Sequence, residues 1–199
     1  MSKLTPRHLT YLEGCGNLLQ YCLTRRDFET GHCIFCEART KWPKEVFYQS
    51  ELVVGVVNSF PHKVAEHHLL VFPVRHVLEF AMMTKYEWAD IRMAILAGEK
   101  RFGTNNGGWL TRNGDPLYGR GTIPHWHQNI LKPDLKLGKE MRLPLAKKTE
   151  ELEEDRLRAA RFADVYERLS SEGKLEAFLC GQLQTHEPRN WDGKSDWPT

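Results

Sequence analysis

The sequence lacks any long apolar run. Nowhere do about eighteen consecutive apolar residues occur, which is the length that a membrane-spanning helix needs. Residues 1–4 also contain no apolar core of the length found in signal peptides. We therefore expect a cytosolic, globular protein that does not enter a membrane.

An excess of charge of either sign is missing too. Lys and Arg number 28 and Asp and Glu number 26, which leaves a formal net charge of +2. No segment is basic enough to indicate a nucleic-acid-binding surface, and residues 147–158 mix both signs as a solvated helix face does. Nucleic acid is therefore disfavoured as the main ligand.

The cysteines do not form an even set. The chain has five of them and shows no signal for export. Such a set favours reduced thiols and a metal site over a disulfide framework. No internal repeat or linker divides the 199 residues, which suffice for one domain with additions at its ends.

Local patterns predict both strands and helices. Two β-type runs separated by Ser50 and Glu51 favour a hairpin, and Thr84 with Glu87 forms a capping box for a helix that ends near Gly103. The expected elements are a helix over 4–24, hairpin strands over 46–49 and 52–58, a buried strand over 67–73, the capped helix from 84, a strand over 109–113, a short strand over 141–145 and a last helix from 149 to about 173.

The most informative segment is residues 124–130, with the sequence Pro-His-Trp-His-Gln-Asn-Ile. Its pattern predicts a strand that begins at Pro124, where a missing N–H costs no ladder bond. Alternate residues of a strand share a face and lie roughly 6 to 7 Å apart. We therefore expect His125, His127 and Asn129 to form a row of polar ligands rather than part of a core.

Cys33 and Cys36 form a Cys-x-x-Cys pair, the commonest half of a tetrahedral zinc site. The chain has no second such pair, and the ligand-type residues with a positional rationale are His76, just after a predicted strand, and His125. A site built from all four would join distant parts of one domain. With four protein ligands it would be closed and structural, with no position for a catalytic water.

Together and in this order, these motifs resemble the histidine-triad superfamily. The similarity covers residues 33–145 and is nearest to the branch of galactose-1-phosphate uridylyltransferase and the diadenosine tetraphosphate phosphorylases. It implies an α+β fold, with a half-barrel-like antiparallel sheet, a long helix packed on it, and helical extensions at both ends. The matching residues are Cys33-x-x-Cys36, Asn58-x-Phe60, His68-x-x-x-x-Pro73-x-x-His76, Asn113-Gly114 and Gly121-Thr122-x-Pro124-His125-x-His127-x-Asn129.

The resemblance also implies an activity, that of a nucleotidyl hydrolase or transferase. In it, His127 would take a nucleotidyl group onto its ring nitrogen. The chain would be divided into a catalytic domain at 31–146 and two extensions, at 1–30 and 147–199. Many members of the superfamily are homodimers. The implied site residues are Cys33, Cys36, His76 and His125 as zinc ligands; His68 behind the nucleophile, with Thr122 and Asn129 beside the phosphate; and Asn58, Phe60, Asn113, Gly114, Gly121 and Gln128 in the nucleotide pocket.

Two positions depart from the superfamily pattern. Asn129 stands where members have His or Gln, and Arg120 stands where a glycine is usual. An amide cannot deliver a proton to a departing amine, whereas a phosphate leaves as an anion, so we expect phosphoanhydrides to be cleaved in preference to phosphoramidates.

Two other interpretations remain open from the sequence. One is a nucleotide-binding protein whose degenerate triad no longer turns substrate over. The other is a zinc-stabilised interaction module whose segment after Gly173 contacts another protein.

Overall fold

The computed structural model describes residues 4–41, 45–115, 121–141 and 149–185. The chain divides into two compact units. The sheet unit comprises Cys33–Gly119 and Pro124–Pro144, and the helical unit comprises Met1–His32, Arg120–Ile123 and Leu145–Thr199. Among the described helices, none combines the length and the apolar character that a bilayer crossing requires.

The α+β prediction is confirmed, since a five-stranded antiparallel sheet occurs together with helices. In the described part of the chain the helices are α1 (Pro6–Glu13), α2 (Leu18–Thr30), α3 (Ala38–Lys41), α4 (Lys85–Phe102), α5 (Thr149–Ser171) and α6 (Leu175–Thr185). The strands are β1 (Val46–Gln49), β2 (Val53–Val57), β3 (Ala65–Pro73), β4 (Gly108–Arg112) and β5 (His127–Pro133).

The strands pair in the order β1–β2–β3–β5–β4, so β1 and β4 form the two edges. The predicted hairpin is present as β1 and β2, and the predicted strands over 67–73 and 109–113 are present as β3 and β4. β5 lies between β3 and β4, and the histidine segment is therefore on an interior strand of the sheet, next to the edge strand β4.

The helix α4 begins at the predicted capping box. The Thr84 hydroxyl accepts from the N–H of Glu87, and the Glu87 carboxylate accepts from the N–H of Thr84. Gly103, with a φ of 62°, ends the helix as predicted. The core between α4 and the sheet consists of Val53, Leu69, Val71, Val77, Ile91, Ala94, Ile95, Trp126 and Ile130.

Residues of β5 alternate between the two faces of the sheet. Ile130 belongs to the core under α4. His127 and Asn129 therefore lie on the opposite face, which we call the histidine face. Because side chains alternate along β5, the residues that could carry chemistry and the apolar residues that pack against α4 lie on opposite faces of the sheet.

The strand begins later than its sequence pattern predicts. β5 starts at His127, so Pro124 and His125 precede it, and the expected start at Pro124 is wrong. The reason is that the N–H of Trp126 donates to the carbonyl oxygen of Val77, at 2.7 Å, in the loop after β3. His125 is consequently placed by that loop rather than by a strand ladder.

The helical unit contains α1, α2, α5 and α6, and one of its predicted helices is wrong. The expected single helix over 4–24 is two helices, α1 and α2. Asn17 begins α2, because its side-chain oxygen accepts from the N–H of Gln20 at 2.7 Å in place of a continued helix. The last predicted helix is confirmed as α5, which ends at Ser171, two residues before Gly173 with its φ of 66°.

Parts of three predictions fall outside the described residues. These are residues 142–145 of the expected short strand, Arg120 in the glycine-rich loop, and the tail beyond residue 185.

We predict that Gly107→Ala destabilises the sheet unit where β4 begins. A Cβ at this position would overlap the carbonyl oxygen of Leu131 and lie 2.9 Å from its carbonyl carbon, and neither backbone atom can move freely. Urea denaturation should show a loss of about 1–3 kcal/mol in the free energy of unfolding.

The matched control is Gly108→Ala, because a Cβ at Gly108 meets nothing within 4 Å. It should keep the free energy of unfolding or raise it by up to about 1 kcal/mol. Equal effects of the two substitutions would contradict the close contact of Gly107 with the backbone of Leu131 in β5.

Candidate functional site

His127 presents a defined nitrogen. Its Nδ1 lies 2.8 Å from the carbonyl oxygen of His125. A carbonyl oxygen only accepts hydrogen bonds, so Nδ1 carries the proton and the neutral ring keeps its lone pair on Nε2. Nε2 is therefore the atom through which this imidazole can act as a nucleophile.

Aromatic side chains enclose His127. The ring of Phe35 meets it edge to face, with centroids 5.1 Å apart and planes at 68°, and Phe35 also stacks on Phe72 at 4.3 Å. Burial, aided by the positive charge of Arg112, lowers the pKa of His127 to about 4, although the hydrogen bond to the His125 carbonyl opposes this shift. The ring is consequently neutral at pH 7.

The expected row of polar ligands is present but buried. His125, His127 and Asn129 have exposed fractions of 3%, 8% and 7%. Each of them makes a hydrogen bond to protein, as buried polar groups must. The three residues lie outside the apolar core under α4, but they are shielded from solvent to an extent that the sequence pattern does not predict.

Four side chains from separate parts of the sheet unit come together as a candidate metal site. Cys33 and Cys36 lie in the loop before α3, His76 follows β3, and His125 precedes β5. The potential ligand atoms of these four residues all lie within 4.8 Å of one another. They could therefore hold a metal ion.

The distances within this set fit tetrahedral coordination. Zn–S bonds of about 2.3 Å and Zn–N bonds of about 2.0–2.1 Å at tetrahedral angles place S and N about 3.6 Å apart. Nδ1 of His125 lies 3.5 Å from the Cys33 sulfur and 3.6 Å from the Cys36 sulfur. Nδ1 of His76 lies 3.3 Å from the Cys36 sulfur.

A carbonyl group also orients His125. Its Nε2 lies 2.9 Å from the carbonyl oxygen of Pro73, so Nε2 carries the proton and Nδ1 faces the two thiols with its lone pair. Burial lowers the pKa of His125 to about 3, which keeps this ring neutral as a metal ligand requires.

An ion pair anchors the loop that carries His76. Nε and Nη2 of Arg75 lie 3.1 and 2.9 Å from the two carboxylate oxygens of Glu87, and Nη2 also donates to the Met82 carbonyl at 2.7 Å. Glu87 is itself buried and caps α4. The neighbouring residue His76 is thereby tied to the start of the core helix.

His68 and Asn129 form a second hydrogen-bonded group on the histidine face. Nδ1 of His68 accepts from the N–H of His62 at 3.0 Å, so its proton lies on Nε2, which donates to Oδ1 of Asn129 at 3.0 Å. The Asn129 amide in turn donates to the carbonyl of Leu110 at 3.1 Å. Burial lowers the pKa of His68 to about 4, and His68 is therefore neutral at pH 7.

Two of the predicted pocket residues adjoin this group. The amide nitrogen of Asn58 lies 3.2 Å from the His68 ring, and its oxygen accepts from the N–H of Phe60 at 2.9 Å. Asn58, Phe60 and His68 are thus brought together with Asn129.

Three other predicted site residues of the sheet unit have side-chain or backbone hydrogen bonds to partners outside this group. Gln128 is buried on the face toward α4, where its oxygen accepts from the Thr111 hydroxyl. The Asn113 side-chain oxygen accepts from the N–H of Phe80 at 2.6 Å, and the N–H of Gly114 donates to the carbonyl oxygen of Leu78 at 2.9 Å. Gly121 and Thr122, which are also predicted site residues, belong to the helical unit.

Sequence reasoning missed two residues beside His127, Phe35 and Arg112. Phe35 stands between the two cysteines, and this position could have indicated a ring near the metal ligands. Arg112 immediately precedes Asn113 at the end of a predicted strand, but its pairing partner depends on the register of β4 against β5. That register is not visible in either segment alone.

No family model matches the sequence, and no curated protein is detectably similar to it. Among solved structures, the chain is similar to several histidine-triad proteins. One is a HIT family hydrolase from Clostridium thermocellum, with a TM-score of 0.44 and 20% identity over 55% of this chain and 96% of that one.

Two further solved structures come from other organisms. A histidine triad nucleotide-binding protein from Candida albicans has a TM-score of 0.44 and 19% identity over 70% of this chain and 96% of that one. Diadenosine triphosphate hydrolase from Plasmodium falciparum has a TM-score of 0.38 and 15% identity over 63% and 80%. At these identities and TM-scores the likenesses assign neither a family nor an activity to this chain.

We predict that His68 makes stability depend on pH between about 6.5 and 4. In this window the unfolded chain protonates this residue and the folded chain does not, so the free energy of unfolding falls as the pH falls. His68 contributes up to about 1.4 kcal/mol per pH unit to the slope of the free energy of unfolding against pH. His68→Gln, which keeps a donor and an acceptor but does not titrate, should give a shallower slope in denaturant titrations.

The His32→Gln variant, which removes an exposed histidine, is the control for this experiment. Parallel pH profiles for His68→Gln and the parent protein would refute the assignment of a neutral, half-buried ring at position 68.

Proposed function

We propose that the chain is a histidine-triad nucleotidyl hydrolase or transferase, nearest to the phosphorylase and uridylyltransferase branch. It would cleave a nucleoside polyphosphate or dinucleoside polyphosphate at the α-phosphorus through a nucleotidyl-histidine intermediate. One observation carries the proposal: the Nδ1 proton of His127 is held by the His125 carbonyl, which leaves a neutral Nε2 lone pair for attack.

The proposed reaction has two steps. First, Nε2 of His127 forms a bond to the α-phosphorus while the bond to the bridging oxygen breaks, and the departing phosphate keeps the electron pair. Then an oxygen of water, phosphate or a phosphorylated metabolite forms a bond to the same phosphorus while the bond from phosphorus to Nε2 breaks. Nε2 recovers its electron pair, and the proton of a water acceptor passes to solvent. Because the first leaving group departs as an anion, the absence of a protonating group at Asn129 is compatible with phosphoanhydride cleavage.

The nucleotide pocket is proposed around the hydrogen-bonded group of His68, Asn58, Phe60 and Asn129. Asn129 is engaged with His68 and Leu110, which supports a role in orienting the pocket in addition to any phosphate contact. Contacts of a nucleotide with Gln128, Asn113, Gly114, Gly121 and Thr122, the catalytic boundaries at 31 and 146, and the cytosolic location stay predictions.

Zinc is proposed as the metal that Cys33, Cys36, His76 and His125 would hold. Two thiolates and two imidazoles at these separations match its preferred donors and geometry. A bound zinc ion would supply structural cross-linking of three loops. Its ligand His125 also provides the carbonyl that orients His127, so the site would stabilise the region from which the nucleophile acts.

A homodimer is proposed on the basis of exposed apolar side chains on the sheet unit. Met93 and Leu96 on α4 and Trp109 on the edge strand β4 are all exposed, with Trp109 at 58%. The proposal requires these side chains to form one contiguous apolar patch, which is typical of an interface. Native mass spectra, which resolve the number of subunits, would decide the oligomeric state.

The burial of His127 favours a second candidate function. A ring that is 8% exposed and packed against Phe35 also suits a protein that binds nucleotides without forming an adduct. This candidate predicts nucleotide binding with no turnover, whereas the enzyme predicts a covalent form.

We predict one zinc ion per chain in native mass spectra. Cys36→Ser should lose it, because Cys36 contributes a sulfur close to both histidines and a hydroxyl is a far weaker zinc ligand. Cys180→Ser, which changes an exposed cysteine outside the cluster, is the control and should keep the ion. Full zinc occupancy in Cys36→Ser would argue against this ligand set.

We predict a covalent nucleotidyl form of the parent protein. Intact-mass spectrometry after incubation with a panel of nucleoside polyphosphates and nucleotide sugars should show an added nucleotidyl mass that is labile in acid and stable in base. The added mass should vanish in His127→Ala and persist in the control His32→Ala. A folded parent protein that binds a nucleotide but never carries this mass would favour the second candidate.

A further inference from the structure

Arg112 stands opposite His127 in the sheet. It is the last residue of β4, and the register of the two antiparallel strands pairs it directly with His127, the first residue of β5. Side chains of directly opposed residues share a face, with Cβ atoms about 4.5–5.5 Å apart. The Arg112 side chain therefore starts on the histidine face, next to the ring that presents Nε2.

The surroundings of Arg112 are unusual for a cation. Its Nε is buried, and its side chain starts on the same face of the sheet as the His127 ring. A guanidinium keeps its positive charge at every physiological pH. This part of the histidine face therefore suits an anionic group of a ligand.

The chemistry proposed for His127 brings an anion to this place. Attack by Nε2 requires the α-phosphate of a nucleotide to approach the ring, and negative charge is spread over the phosphoryl oxygens as the reaction proceeds. A guanidinium donates two parallel hydrogen bonds to such a group and keeps its charge at every physiological pH. The Asn129 amide, which is bound to His68 and Leu110, cannot supply that charge.

We propose that Arg112 is a substrate-binding residue that contacts the α-phosphate of the nucleotide facing His127, and that it makes the site selective for phosphorylated nucleosides over free nucleosides. This inference rests on the proposed function. It adds a residue that recognises the charge of the substrate rather than its base.

The test compares ligands that differ only in the phosphate. Isothermal titration calorimetry on the full chain measures AMP against adenosine and UMP against uridine, for the parent protein and for Arg112→Gln, Arg112→Lys and Arg92→Gln. Arg92 is an exposed arginine on α4, on the other side of the sheet, so Arg92→Gln is a charge-matched control.

We expect Arg112→Gln to weaken monophosphate binding by about tenfold to a hundredfold, because charge-assisted hydrogen bonds to phosphate are lost. The affinity for the free nucleoside should stay unchanged. Arg112→Lys, which keeps the charge but not the two-pronged geometry, should fall between Arg112→Gln and the parent. Arg92→Gln should match the parent for both kinds of ligand.

Three results would overturn the inference. Equal losses for nucleotide and nucleoside would show a structural role, and an unchanged affinity for the monophosphate would show no phosphate contact. If Arg112→Gln does not fold, Arg112→Lys decides the matter by the same nucleotide-to-nucleoside ratio. A parent protein that binds none of the four ligands would instead refute the proposed function itself, and with it the role of Arg112.

Discussion

The hydrogen bond from Nδ1 of His127 to the carbonyl of His125 is the interaction on which the candidate site depends. It decides which nitrogen of His127 has the lone pair, and it connects this ring to the backbone of a candidate metal ligand. His125 is oriented in the same way, since its Nε2 donates to the carbonyl of Pro73 and turns Nδ1 toward Cys33 and Cys36. Two backbone carbonyls thus assign opposite nitrogens to two histidines that are two positions apart.

Burial fixes the protonation states of these two histidines. An imidazole removed from water resists protonation, so each ring stays neutral and keeps a single donor and a single acceptor. The same low polarity strengthens the effect of any charge nearby, which is why Arg112 acts on both His127 and His68. The sheet makes this arrangement possible, because α4 packs on one face through Trp126 and Ile130 and leaves the other face to polar residues.

Features that depend on a few neighbouring residues could be predicted from the sequence. The capping box of Thr84 and Glu87, the hairpin and the start of α5 are of this kind, because each signal lies within one turn or one loop. The four candidate metal ligands were also identified, since residue type and order in the chain carry that pattern.

Features set by long-range contacts were missed: the late start of β5 depends on Val77, and the opposition of Arg112 and His127 depends on strand register. The break between α1 and α2 was missed because the capping side chain of Asn17 outweighed an apolar spacing that suits one continuous helix.

The central claim concerns the protonation state of one ring, and nitrogen-15 NMR of the histidine side chains measures it most directly. The account predicts that His127 in the folded protein at pH 7 is neutral, with the proton on Nδ1 and the lone pair on Nε2, which is the less common tautomer of a free histidine side chain. A cationic ring at pH 7, or a neutral ring with its proton on Nε2, would contradict the account, because no lone pair would then be available at the nitrogen that faces away from the His125 carbonyl.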